Sequence, residues 1–328
     1  MANMYARSTL ATWDALSAGG WSDTSGGPSN GLVPDINTDV IFDVNSGVVR
    51  TIPLATDQAY CKSFGTIGAV NAMTFTGTLH AYGNVNLTGL ASVDQVQFEA
   101  SGSLNQAACV LDTLGVLSPA VLTLGLAISP RWISVGDGAT LTASSANVTC
   151  EGLFASGAAT INFGSGTWLF YGNGALFTIG SGCTVDGGTS LLRFTGISVT
   201  FAGGGKTYNN FWWDSTNTCT LTGANTFNDV KITGSSANLY FPASATTTLA
   251  TLTADGTPYA IMSIRSSSPG TPATLVKSGG GTVMVYNCDI RDIIASPSST
   301  FYATRSADSG GNTNWTFVVI YSGFLSFM

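Results

Sequence analysis

The sequence predicts an all-β chain wound as a single-stranded, right-handed parallel β-helix, and three observations carry that prediction. First, Thr207-Tyr-Asn-Asn210-Phe211 recurs nineteen residues on as Thr226-Phe-Asn-Asp229-Val230, and a Thr-rich approach to Leu249 follows at about one further interval. A short period of this kind belongs to a chain that lays one layer of sheet on the next. Second, apolar residues alternate with Thr, Asn and Ser at period 2, as in Asn84-Val-Asn-Leu-Thr88 and Ala159-Thr-Ile-Asn-Phe163, and no window sustains a helical face. Third, 40 glycines and only 9% charged residues depart from ordinary globular usage. The polar surface must then be built from Ser, Thr, Asn and Gly. The runner-up is a β-sandwich or jelly roll, with strands spaced by roughly 8–12 residues and hairpin signals between them. The Tyr208/Phe227 repeat favours the solenoid.

Residues 1–47 form an N-terminal cap or attachment segment. Trp13 and Trp21 frame a Gly/Ser-rich turn, and Pro34 to Asp39 leads into Val40-Ile-Phe-Asp-Val44. That run is the first expected strand of the stack, with Val40 and Phe42 on the core face and Asp39, Ile41 and Asp43 on the other. A segment with its own aromatic residues covers a first layer that would otherwise expose unpaired edges. Trp13 and Trp21 are therefore candidate attachment or interface residues.

Residues 48–305 are the β-helix itself. Gly136-Asp-Gly138, Gly172-Asn-Gly174 and Gly203-Gly-Gly205 supply corners able to take positive φ. The stretch from Leu104 to Ile133 is more continuously apolar, but Pro119 and Gly125 break any long helix, so buried or subunit-facing strands are expected there. Residues 306–328 form a C-terminal strand or interface segment, with Trp315 and Phe317 as interface candidates.

Composition narrows function. A net charge of −7 with eleven Lys plus Arg leaves no basic stripe for a nucleic-acid backbone, so direct DNA or RNA binding is not expected. No apolar run approaches the roughly 20 residues of a membrane helix, and the first twenty residues lack the apolar core of a cleaved leader. Six cysteines at 61, 109, 150, 183, 219 and 288 show no CxxC pair. They are expected as buried free thiols, in keeping with synthesis in a reducing cytoplasm, and neither a metal site nor a cofactor is expected.

Three motifs have a chemical reading and a bland one. Gly205-Lys206-Thr207 ends like a phosphate-binding loop, but position 200 is Thr and the residues that follow are strand formers, so it is a turn. The single histidine, His80, has no nucleophile elbow beside it and is expected as a structural strand residue. Asn287-Cys-Asp289-Ile-Arg291-Asp292 is the best acidic cluster. Asp289, Arg291 and Asp292 are the catalytic candidates if the chain cuts glycan, because such chemistry needs paired carboxylates; otherwise an Asp/Arg pair closes the last turns. Tyr208, Trp212 and Trp213 are candidates for an outer aromatic platform for a sugar ring, although adjacent strand residues point to opposite faces, so at least one Trp is core or interface.

Several stretches together resemble phage and prophage virion proteins of the tail-fibre-like or decoration type. They are Trp13 with Trp21-Ser22, Pro34 with Asp39-Val-Ile-Phe-Asp43, Asn225-Thr-Phe-Asn-Asp229, Arg265-Ser-Ser-Ser-Pro-Gly-Thr-Pro272, and Asp308-Ser-Gly-Gly-Asn312-Thr-Asn-Trp315. The resemblance spans nearly the whole chain. It implies a rigid, non-enzymatic β-helical appendage or decoration protein on the particle exterior, assembled in the host cytoplasm. It also implies a homotrimer bound to capsid or tail proteins and in contact with host surface polysaccharide. It carries over no catalytic residues. The alternatives from other classes are a tail-spike glycan depolymerase, hydrolase or lyase, and a bacterial surface adhesin.

Overall fold

The computed structural model describes residues 2–7, 10, 13, 20–43, 45–46, 51–54, 59–67 and 73–319. Among these residues there is no helix, and parallel strands stack as a β-solenoid. The chain falls into two compact units: residues 1–169 with 179–188, and residues 170–178 with 189–328.

The first unit contains a 10-stranded sheet that runs from Trp21–Ser22 through Ala2–Ala6, Thr38–Asp43, Ser63–Ile67, Val85–Asn86 and Gly102–Asn105 to Thr184–Asp186. Only its outermost pair, Ala2–Ala6 with Trp21–Ser22, is antiparallel. A second sheet in this unit stacks Thr74–Ala81, Ser92–Phe98, Val110–Val116, Pro130–Val135 and Gly152–Ala155 in parallel. The strand expected to open the stack, at Val40, is preceded in the sheet by Ala2–Ala6, which pairs with it in register from Ala2 and Thr38 onward. The end of that expected run, Val44, and the segment boundary at residues 47 and 48 lie outside the described residues.

Alternation explains the burial. Val40 and Phe42 are buried, and Asp39 and Ile41 are half-exposed on the other face. Asp43 departs from the pattern because the strand ends there: its Oδ1 accepts the Asn45 N–H at 2.9 Å, and the residue is buried in the turn. Trp13 and Trp21, expected at an interface, are fully buried instead. Their rings meet edge to face at 5.1 Å, Trp21 continues onto Phe42 at 5.9 Å, and Trp21 Nε1 donates to the Trp13 carbonyl at 3.0 Å. Aromatic surface of this size is stabilised by burial, and the chain's own core supplies it.

From Leu104 to Ile133 the inward residues, including Leu111, Leu114, Val116, Leu122 and Ile133, are core, while Val110, Val121 and Leu126 remain exposed. Gly138, Gly174, Gly204 and Gly205 take positive φ at the corners. All six cysteines are free and buried.

In the second unit one sheet stacks Leu191–Phe194, Thr207–Trp213, Thr226–Ile232, Thr246–Ala254 and Ala273–Lys277. Another stacks Val199–Ala202, Thr218–Thr222, Asn238–Phe241, Met262–Ser266 and Cys288–Arg291. The sequence repeat is the register: Thr207 faces Thr226, Tyr208 faces Phe227, and Phe227 faces Leu249 in the following layer. Between these sheets lies a column of rings. Phe201 stacks on Phe177 at 4.4 Å and 10°, and meets Tyr208, Phe211 and Phe194 edge-on at 5.1–5.6 Å. Lys206 sits in a turn before strand Thr207–Trp213, so the Gly-Lys-Thr sequence is a corner.

Candidate functional site

Strand alternation decides which of the expected platform residues reach the surface. Tyr208 and Trp213 do not: both are buried, with Tyr208 Oη donating to the Gly203 carbonyl at 2.7 Å and Trp213 Nε1 to the Asn217 carbonyl at 3.2 Å. The placement of both on a sugar platform is therefore corrected. Trp213 points inward because it alternates with the outward Asn210 and Trp212, whereas Tyr208 points inward because the alternation breaks at Asn209–Asn210, two successive half-exposed residues.

Trp212 does point outward, but its ring is occupied. The register Arg193–Trp212–Lys231 puts three long side chains in one ladder row. Arg193 Cζ lies 4.5 Å and Lys231 Nζ 4.6 Å from the ring centroid. Arg193 also donates from Nε and Nη2 to Asp214 Oδ2 at 2.9 and 2.5 Å. Trp212 Nε1 donates to Thr233 Oγ1 at 2.6 Å, and that hydroxyl donates to Asp214 Oδ1 at 2.8 Å. The cluster is a closed ion-pair and cation–π network.

The acidic cluster is likewise tied into the architecture. Asp289 and Arg291 share the outward face of strand Cys288–Arg291, as alternation requires. The ladder then places Arg265 opposite Arg291, so that Arg265 Nη2, on the neighbouring strand, donates to Asp289 Oδ2. Ser309 Oγ donates to Asp289 Oδ1 at 2.5 Å. Asp292 accepts the Gly270 N–H at 2.9 Å and lies 3.5 Å from Arg291 Nε, with its backbone in the left-handed region at φ 55°. Each carboxylate is held by a cation and a further donor, an arrangement that closes turns. Trp315 and Phe317 are half-buried on the last described strand, Trp315–Val318, where Trp315 meets Phe301 at 5.1 Å.

The open surface with chemical character lies on the first unit, on the outward face of its second sheet. Register sets two rows across successive layers: Thr78, Gln95, Thr113 and Trp132, and beside it His80, Gln97, Gly115, Ser134 and Phe154. Trp132 and Phe154 lie side by side at 5.5 Å and 34°, with Phe154 38% exposed. Arg131, 6.0 Å from the Trp132 centroid, is anchored by Glu151 at 3.0 Å and Asp112 at 3.4 Å. The Glu151 hydrogen bond, followed by that of Asp112, raises the Arg131 pKa further.

At the other end of the rows the polar groups form a chain. Thr78 Oγ1 donates to Gln95 Oε1, Gln95 Nε2 to Gln97 Oε1, and Gln97 Nε2 to Glu99 Oε1, over 2.7–3.2 Å. His80 Nδ1 lies 2.8 Å from the same Glu99 oxygen, beneath the Tyr60 ring at 4.7 Å. Facing an oxygen that only accepts, Nδ1 carries the hydrogen. His80 is thus the strand residue expected, but it belongs to a polar network. Between the aromatic pair and the amides, Gly115 presents no side chain and is buried, with side-chain atoms of Gln97 and Gln95 3.5–3.8 Å from where a Cβ would stand. Trp132 and Phe154 escaped notice in the sequence because each stands alone in its layer.

Among the described residues no three His, Cys, Asp or Glu side chains gather as a metal site, and no helix is long and apolar enough to cross a membrane. In comparisons with protein families, curated proteins and solved structures, nothing matches this chain.

Proposed function

We propose that the chain is a non-enzymatic, rigid β-solenoid of a phage particle's exterior that contacts host surface polysaccharide. The observation that carries glycan contact is the half-buried Trp132 beside the 38%-exposed Phe154, next to the Gln95 and Gln97 amides that cover Gly115. A sugar ring has an apolar face and a hydroxyl rim, and an aromatic surface flanked by Gln side chains complements both. Binding without cleavage is favoured because the strongest acid candidates, Asp289 and Asp292, are engaged by Arg265, Ser309, Arg291 and the Gly270 N–H. The exterior virion setting, the homotrimer and the attachment to capsid or tail proteins rest on the sequence resemblance.

The test is retention on immobilised capsular polysaccharide and lipopolysaccharide from a panel of bacteria, with the glycan sized before and after incubation. The expected result is retention with unchanged glycan length, lost in Trp132→Ala/Phe154→Ala. Shortened glycan, or retention indifferent to both substitutions, refutes the reading. Particle proteomics that finds the protein outside virions refutes its virion role.

A further inference from the structure

A second surface of the first unit holds a glycine that neither conformation nor packing requires. Gly65 is the central residue of strand Ser63–Ile67, has no positive φ, and faces outward between the buried Phe64 and Thr66. A Cβ built on it would meet no heavy atom within 4 Å. Glycine inside a strand is destabilising by about 0.5–1 kcal/mol relative to alanine, and it commonly marks a close approach by another group. Gly65 lines a trough of about 400 Å³ on the outer face of the 10-stranded sheet. That volume lies within the range of roughly 300–1,000 Å³ common for small-molecule sites.

The trough is lined on two levels. Along one row register sets Asp39 beside Ser63, with Asn84 and Ser103 in the succeeding layers; along the other, Ile41 faces Gly65, followed by Asn86 and Asn105. The Asn side chains are half-engaged. Asn84 Oδ1 accepts both the N–H and the hydroxyl of Ser103 at 3.0 Å, and Asn86 Oδ1 accepts the Thr88 N–H and hydroxyl at 3.1 and 2.6 Å. The Nδ2 groups of Asn84 and Asn86 make no hydrogen bond among the described residues and are left to donate outward, while that of Asn105 donates to Thr88 Oγ1 at 3.4 Å. Ile41 and the 59%-exposed Ile67 give the same trough an aliphatic wall. Its one carboxylate, Asp39, already accepts from Ser63 Oγ at 2.6 Å and lies 3.4 Å from Lys62 Nζ.

We propose that this trough is a separate ligand site, lined by Gly65, that takes a neutral hydroxyl-bearing ring and disfavours an acidic one. Unpartnered amide donors beside aliphatic surface suit a ring with hydroxyls on its edge and C–H bonds on its face. An added carboxylate would lie close to Asp39, whose nearest cation among the described residues, Lys62, is already paired with it. The choice of sugars as probes rests on the glycan reading above, whereas the location of the site does not.

The test is a titration of the full chain, labelled at isoleucine methyl groups, with neutral trimers of glucose, galactose, mannose and N-acetylglucosamine, and with a galacturonate trimer. At least one neutral trimer is expected to shift the Ile41 and Ile67 methyls saturably, with galacturonate weaker by about tenfold or more. Gly65→Val raises three carbons from the floor of the trough and is expected to weaken binding by about tenfold or more while leaving distant methyl signals in place. Trp132→Ala is expected to leave the titration unchanged. The proposal is overturned if no neutral trimer moves the two methyls, if Gly65→Val binds like the parent, or if galacturonate binds equally. Because the polysaccharide retention test reads the aromatic pair, either result can fail while the other stands.

Discussion

The column of rings in the second unit makes Phe201→Ala the most demanding test of the layered core. Phe201 is fully buried, stacks on Phe177, and touches Phe194, Tyr208, Phe211 and Phe227 within 5.8 Å. Removing a buried phenyl ring costs about 3–5 kcal/mol through lost transfer energy and an unfilled cavity. Phe201→Leu keeps most of the apolar volume and forfeits the ring–ring geometry, so its expected cost is about 1–2 kcal/mol. In a solenoid each layer is coupled chiefly to its neighbours. The damage should therefore be local, and native-state hydrogen exchange followed by strand is the fitting assay. Amides of Thr207–Trp213, Thr218–Thr222 and Thr226–Ile232 are expected to exchange roughly two to four orders of magnitude faster in Phe201→Ala. Those of Pro130–Val135 in the first unit should change little. A local loss below about 1 kcal/mol, or equal acceleration in Pro130–Val135, refutes the reasoning. Phe154→Ala, whose partly exposed ring loses only its contact with Trp132, provides the control and should cost about 1 kcal/mol, well below Phe201→Ala.

Alkaline pH gives a second expectation. Burial pushes the Cys109 and Cys288 thiols up to about 12 and raises Cys61, Cys150 and Cys219 as well, while the reference thiol value is 9.0. Above pH 9 the unfolded chain ionises first and binds fewer protons, so the stabilisation is complete below that pH and falls as pH rises, by roughly 1 kcal/mol per unit for each thiol. Denaturant midpoints measured from pH 8 to ~10.5 should decline, and Cys219→Ala should flatten the slope; a level parent profile refutes it. Arg193→Ala opens a half-exposed pair with Asp214 and uncovers Trp212, so a loss of about 1 kcal/mol that shrinks in high salt is expected by chemical denaturation. A loss above about 3 kcal/mol would mean that the network is far less solvated than its exposure indicates. Finally, Gly164→Ala should abolish or severely weaken folding, because φ is +68° and a Cβ would lie 1.8 Å from the Ser144 carbonyl oxygen. Gly65→Val should retain or raise Tm, and thermal melts of the two variants compare them directly.

The period-2 pattern made the core legible because inward residues need only be apolar, and any layer obeys that rule alone. Val40 with Phe42, and Tyr208 with Phe227, fall where counting places them. The outer face obeys no such local rule. Its contacts join different layers, and layer length varies: Tyr208 to Phe227 is nineteen residues, but Phe227 to Leu249 is twenty-two. A count from Asp289 therefore found Arg291 on its own strand and missed Arg265, which is 24 residues away and is its partner. The same drift hid the rows that bring Gln95, Gln97 and Trp132 together. Trp13 and Trp21 show the complementary error. Their aromatic character was legible, but whether a Trp is buried by its own chain or by another depends on the layer beside it.

This difference bears on where function can reside in such a fold. A parallel ladder constrains nearly every inward position and many corners, as Gly164 illustrates, where a side chain would strike the preceding layer. It leaves the outward strand positions unconstrained, provided they tolerate a pleated surface. An outward β-branched residue would favour the strand, so a glycine there opposes local propensity. At Gly65 no steric demand offsets that loss, and at Gly115 the nearest atoms to an added Cβ are 3.5 Å away, an ordinary contact. Local rules broken without an architectural reason are the positions at which binding is the better explanation. On this ground Gly65, with the amides around it, ranks ahead of the ion-paired Asp289 and Asp292 as the proposed point of ligand contact.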